Sequence, residues 1–238
     1  MDRITLIQKI IDKAGFKTYL EIGSQSGRSL LPVRCRNKMA VDPRFKIPFE
    51  KKLKWLLKNP ANFRTKYFEE TSDDFFERRK DVLKKISPVD VVLVDGLHTF
   101  EAALKDTLHS LEYLNGKGII VLHDCLPPNE ASSTPAQSKE EAEKVSVEGW
   151  TGEWCGDVWK AIVYLREVFP ESLEVFVLND DYGLGIVRVK GEIKGPLTID
   201  KSVFSTIDAM SYKSMDRDRE RLLGLKEKSY SEHLIAKF

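Results

Sequence analysis

A chain of 238 residues is long enough to bury one sizeable core, and its 38 basic against 37 acidic residues leave no overall field to draw a polyanion. No apolar run approaches the roughly 20 residues that span a bilayer, and the opening MDRITLIQKII mixes charge into a helical pattern, unlike a signal peptide. A single cytoplasmic, soluble domain (1–238) is therefore expected, without nucleic-acid or membrane partners, and the widely spaced Cys35, Cys125 and Cys155 suit neither a disulfide framework nor a zinc site.

Ile4, Ile7, Ile10 and Ile11 recur at helical spacing, so residues 1–15 are expected to form an amphipathic helix ending near Gly15 and covering part of a sheet. Continuous apolar runs at 18–22, 38–42, 65–69, 89–95 and 118–124 mark strands covered on both faces. Helical patterns at 27–35, 72–86 and 99–114 alternate with them, the signature of a parallel sheet. From Leu126 to Trp150 the rhythm breaks into a polar insertion, and its place directly after a strand end suggests a lid. A helix at 156–169 follows, then LEVFVLND and GLGIVRVK around the turn Asp180-Asp181-Tyr182-Gly183, read as an antiparallel edge hairpin. Residues 200–238 form a charged helical extension whose alternating signs suit a solvated face or a partner copy, leaving a homo-oligomer possible. The expected fold is a Rossmann-like, doubly wound α/β domain with a mostly parallel seven-stranded sheet and an antiparallel edge hairpin.

The first strand ends in Glu21 and runs into Gly23-Ser24-Gln25-Ser26-Gly27, where small residues and outward amides let a flat polar ligand approach. A dinucleotide fingerprint needs glycine where Gln25 stands. The E-x-G-x-x-x-G pattern instead resembles the first motif of class I methyltransferases that use S-adenosylmethionine (SAM). The resemblance assigns Glu21 to the cationic methionine end, Gly23 and Gly27 to admitting it, and Ser24 and Ser29 to nearby hydrogen bonds. About twenty residues on, the second strand ends in Asp42, a carboxylate suited to both ribose hydroxyls. Thr71, Ser72 and Asp73 match where the family contacts adenine, although Ser72 also reads as a helix cap.

Ligands in such sheets gather outside the carboxyl ends of the strands. VDVVLVDGLH puts Asp95 at one end with His98 three residues later, and GIIVLHD puts His123 and Asp124 at the next. Asp95, His123 and Asp124 form a candidate ligand set that suits Mg²⁺, Ca²⁺ or Mn²⁺ better than zinc. The pattern is similar to metal-dependent O-methyltransferases of the catechol, caffeoyl-CoA and macrocin type, departing from them at His123, where an acidic residue is usual. That resemblance makes His98 the catalytic base and Asp95 its companion, acting on a hydroxyl of a small-molecule or carbohydrate acceptor. Trp150, Trp154 and Trp159 are candidates to line the acceptor pocket, with packing an equal reading for Trp159. Two other readings stay open: a metal-independent SAM methyltransferase with His98 as base, and a binding or hydroxylase-like protein on the same fold.

Overall fold

The computed structural model describes residues 1–145, 148–193 and 197–238. Seven strands form one sheet in the order β3-β2-β1-β4-β5-β7-β6. β1 (Thr18–Ile22), β2 (Asn37–Val41), β3 (Lys66–Phe68), β4 (Val89–Val94) and β5 (Leu114–Leu122) are parallel. β7 (Leu184–Val189) runs antiparallel to both β5 and β6 (Leu173–Leu178), so the expected mostly parallel sheet with an antiparallel edge is what the chain builds. The central strands read as unbroken apolar runs because both of their faces are covered. Tyr19, Ala40, Val91, Leu93 and Val121 pack towards α1 (Arg3–Ala14) and α11 (Tyr230–Ala236). Leu20, Met39, Val92, Val94 and Leu122 pack towards α3 (Ser72–Arg78), α5 (Phe100–Tyr113) and α7 (Trp159–Val168).

Two expected helices come out differently. Residues 27–35 form a chain of turns, with only weak helical bonds such as Leu31 to Gly27 at 3.3 Å. Pro32 has no N–H to continue a helical ladder and disfavours helical geometry at Leu31. Side chains from elsewhere satisfy the freed carbonyls: buried Lys38 donates to Leu30 and Val33, and Asn59 donates to Leu31 and Val33, both at 2.9 Å. The pattern at 72–86 splits at Arg79 into α3 and α4 (Lys80–Ile86), and Thr71, not Ser72, caps α3 by accepting from the Asp74 amide.

The stretch after β2 holds α2 (Phe49–Lys58) and a 3-10 turn, Pro60–Arg64, which the apolar periodicity did not announce. The 126–150 insertion is partly built in: Ala131, Ser132, Ser133, Ala136 and Ala142 are buried, and α6 (Lys139–Lys144) lies within it. Its positions 146–147 lie outside the described residues. The extension carries α8 (Lys201–Asp208), α9 (Tyr212–Arg217), α10 (Arg219–Leu223) and α11. Among the described residues no helix is long and apolar enough to cross a membrane.

Candidate active site

Strand order reverses between β1 and β4, and the crevice outside their carboxyl ends is where such sheets receive ligands. The two chain segments leaving these strands touch: the Asp95 amide donates to Ile22 at 2.9 Å, and a Cβ on Gly23 would sit 2.0 Å from the Asp95 carbonyl oxygen. Only glycine fits there, and its φ of +87° is one that side chains oppose. Gly27, at φ +68°, lies against Ile47 and Leu31.

Around this loop the expected cofactor residues divide. Ser24 Oγ is buried with no hydrogen-bond partner among the described residues, an orphaned polar group inside the glycine loop. Asp42 is buried and spans the loop, its Oδ2 accepting from the Gln25 amide and its Oδ1 from the Arg44 amide, both at 2.8 Å. Each oxygen keeps lone-pair capacity after these bonds. Glu21 is almost wholly buried on the α1 side of β1, where the Tyr19 hydroxyl donates to it at 2.5 Å. Burial pushes its carboxyl up to about 7, and Asp95 adds to the rise. Ser72 faces the buried carboxylate of Asp106, whose Oδ2 borders Gly96 beside the loop. Ser29 is buried and its Oγ accepts from Arg3 Nε at 3.0 Å.

Beyond the ends of β4 and β5 acidic and imidazole groups crowd together. Among the described residues, Asp95, His98 and Asp124 bring one ligand atom each to within 4.8 Å of one another. His98 Nε2 lies 3.4 Å from Asp124 Oδ2 and 3.9 Å from Asp95 Oδ1. His123, expected as a ligand in place of His98, points its Nδ1 at the same oxygens, 2.8 Å from Asp124 and 3.3 Å from Asp95. Its other nitrogen faces Arg3 at 2.9 Å and Asp181 at 3.6 Å. Burial opposes charge on this ring, but hydrogen bonds to Asp124, Asp181 and Asp95 outweigh it and raise His123 to about 11. Asp124 itself sits at φ +62°, a left-handed conformation that non-glycine residues adopt at some energetic cost and that recurs at functional sites.

The identity of the converging imidazole follows from what holds His98. Its Nδ1 lies 2.9 Å from the Trp154 carbonyl, which can only accept, so Nδ1 carries a proton and Nε2 is the nitrogen turned towards Asp95 and Asp124. The Trp154 indole stacks on the ring with centroids 5.0 Å apart, and the Asp157 amide donates to the His98 carbonyl. Trp154 is half-buried and its Nε1 donates to Thr134 at 2.8 Å, whereas Trp159 is fully buried and belongs to the core, and Trp150 is half-buried. Three lone-pair donors aimed at one point repel one another unless a proton or a cation lies between them.

Arg3 and Asp181 complete the cluster, and neither stood out in the sequence as a site residue. Arg3 Nε lies 3.4 Å from Asp95, and Nη1 lies 3.1 Å from Asp181. Burial opposes its charge, while Asp95 and Asp181 favour it. Arg3 occupies the same helical stripe as buried Leu6, Ile7 and Ile10, and a charge on that stripe was the available signal. Asp181 lay in a turn whose composition explained itself without the site.

Residues 20–125, from β1 to just beyond Asp124, match the family model of a methyltransferase domain. The chain matches no curated protein in sequence. It is similar to the SAH-bound methyltransferase PaMTH1 of Podospora anserina, with 18% identity, a TM-score of 0.54 and 80% of each chain covered. The O-methyltransferase of Bacillus cereus in complex with SAH shares 12% identity at a TM-score of 0.52, covering 80% of this chain and 82% of that one. The O-methyltransferase TomG of Streptomyces achromogenes, in complex with SAM, shares 11% identity at a TM-score of 0.52, covering 78% and 79%. At these identities the likeness is one of fold.

Proposed function

We propose that the chain is a SAM-dependent methyltransferase that methylates a hydroxyl on a small molecule or sugar, assisted by a divalent cation at Asp95, His98 and Asp124; the match of residues 20–125 to a methyltransferase-domain model supports the reading. The observation that carries the cation is the convergence of two carboxylates and one imidazole lone pair within 4.8 Å. Such a donor set suits Mg²⁺ or Mn²⁺. The glycine loop with the orphaned Ser24 Oγ, and the spare lone pairs of Asp42, suit the cofactor's polar ends.

Bound there, SAM supplies an activated methyl carbon, and a cation lowers the pKa of the hydroxyl that accepts it. The chain's own residues position and neutralise. Gly23 and Gly27 keep the loop bare so that a ligand reaches backbone amides. Asp95 and Asp124 bring negative charge to the strand ends, with Arg3 on the other oxygen of Asp95 and His123 beside the same oxygens that His98 faces. The Trp154 carbonyl fixes the His98 tautomer, and the stacked indole shields that side of the ring from water. Titration calorimetry with SAM, then with Mn²⁺, tests both halves of the reading. Absence of SAM binding removes the methyltransferase reading, and full activity in EDTA removes the cation.

One observation favours a second reading. Arg3 and His123 already place positive charge against the same carboxylates, so His98 Nε2 is alternatively the proton acceptor of a metal-free transfer. Metal analysis of the purified protein separates the two.

A further inference from the structure

The near-zero net charge of the whole chain hides a strongly basic segment. Between residues 43 and 66, eight lysines and arginines stand against one acidic residue, Glu50, which leaves 30 basic and 36 acidic residues to the remainder. None of these eight cations makes an ion pair with a carboxylate among the described residues. Lys51 instead donates to the Ser26 carbonyl at 2.7 Å and Lys52 lies over the Tyr67 ring, fastening α2 to the sheet edge. Arg44, Lys46, Lys54, Lys58, Arg64 and Lys66 are exposed.

The same segment exposes apolar side chains in a cluster that a freely solvated surface seldom carries. Phe49 is 78% exposed, Leu53 51% and Leu57 79%, and they recur every four residues on one outward face of α2. Phe63, in the following 3-10 turn, is 71% exposed. These four make up most of the large apolar residues exposed anywhere among the described residues. Half-buried Trp55 and Lys51 form the opposite side, so the helix already has its packed face and the apolar stripe is a second one.

We propose that this face of α2 and the Pro60–Arg64 turn docks on an anionic membrane surface, with Phe49, Leu53, Leu57 and Phe63 entering the headgroup boundary. A short helix with an apolar stripe bordered by lysines is the pattern that lies in a bilayer interface. Charge decides among the occupants. A second copy meeting this face about a two-fold axis would oppose like charge to like, whereas anionic headgroups complement it. Nucleic acid would satisfy the lysines but would leave the aliphatic Leu53 and Leu57 unmatched, since bases stack on rings. The surface lies beside the cofactor loop, where Ile47 touches Gly27, and so faces away from the β6–β7 edge.

Co-sedimentation with vesicles tests the proposal, using the full chain. Binding is expected to equimolar phosphatidylcholine and phosphatidylglycerol vesicles and not to phosphatidylcholine alone, and it is expected to fall as salt shortens the Debye length from about 10 Å to about 3 Å. The triple variant Phe49→Ser, Leu53→Ser, Leu57→Ser is expected to lose more than tenfold in affinity. Lys54→Gln and Lys58→Gln are each expected to lose about fivefold. All of these positions are exposed, and SAM binding measured in parallel reports an intact domain whatever the vesicle result. Failure to sediment with anionic vesicles overturns the proposal, as does equal binding to neutral ones. Tighter binding to a single-stranded oligonucleotide than to vesicles overturns it in favour of nucleic acid, and a dimer in solution that the triple variant abolishes overturns it in favour of a second copy.

Discussion

Arg3 Nε stands 3.4 Å from Asp95 Oδ2, joining the first turn of the first helix to the end of the fourth strand. Both side chains are largely buried, at 10% and 16% exposure, and His123 and Asp181 share the contact. Removing one member of such a set leaves the others as uncompensated buried charge. Arg3→Met is therefore expected to cost about 3–5 kcal/mol in urea unfolding. Adding Asp181→Asn to that variant should restore part of the loss, and an unchanged unfolding midpoint for Arg3→Met would show that the cluster contributes nothing to stability.

His98→Gln and Asp124→Asn act on the converging donors and not on the cofactor loop. Turnover is expected to fall by about 100-fold or more, the usual scale for a positioned proton acceptor or cation ligand. SAM affinity by calorimetry should stay within a few-fold of wild type. A cation reading further requires that Mn²⁺ affinity drop in both variants, while a metal-free base requires that only turnover change.

Gly156 tests the latch on His98. Its φ is +60° and a Cβ would lie 1.8 Å from the His98 carbonyl oxygen, so Gly156→Ala must displace one of the two segments. Displacements of this order at a catalytic group cost about 100-fold in rate. Turnover should fall far more than SAM affinity, and an equal fall in both would place Gly156 in cofactor binding instead.

Asp106, whose Oδ2 would lie 3.7 Å from a Cβ on Gly96, offers a pH test. It is buried with Oδ1 unpartnered among the described residues, and burial pushes its carboxyl up to about 7, with Asp73 adding to the rise against Ser72. A carboxyl raised on folding contributes stability that is fully present below its unfolded value of about 4 and is lost as pH rises through about 7. Asp106→Asn should therefore gain on wild type across that window, by about 1.4 kcal/mol for each pH unit crossed. Parallel stability curves from pH 4 to about 8 would contradict the assignment. Glu21, raised to about 7 by burial, gives a slope of the same sign that both proteins keep.

The sheet was legible because its central strands are buried on both faces and read as unbroken apolar runs, Val89–Val94 most clearly. The turn structure at 27–35 was not, because two of the side chains that stabilise it, Asn59 and Asn62, lie about thirty positions on, outside any local window. α2 escaped for the opposite reason: its apolar residues face outward, so its pattern does not mark a core. At the site, the sequence offered Asp95, His123 and Asp124 from their places at strand ends, and His98 from the family resemblance. That His98 joins His123 at the two carboxylates depends on the Trp154 carbonyl, 56 positions along the chain from His98. Arg3 was hidden by distance too, 92 positions from Asp95, although its place on the apolar stripe of α1 was visible.

The chain that leaves β5 at Asp124 and returns at Trp154 begins and ends on the same imidazole, 3.4 Å from His98 at one end and 2.9 Å at the other. Both ends of the excursion are thus pinned before its middle is specified. Lengthening a loop between fixed ends costs only about 0.6 kcal/mol per doubling. The exposed part of this stretch can therefore change length at small cost while Asp124 and His98 stay where they are.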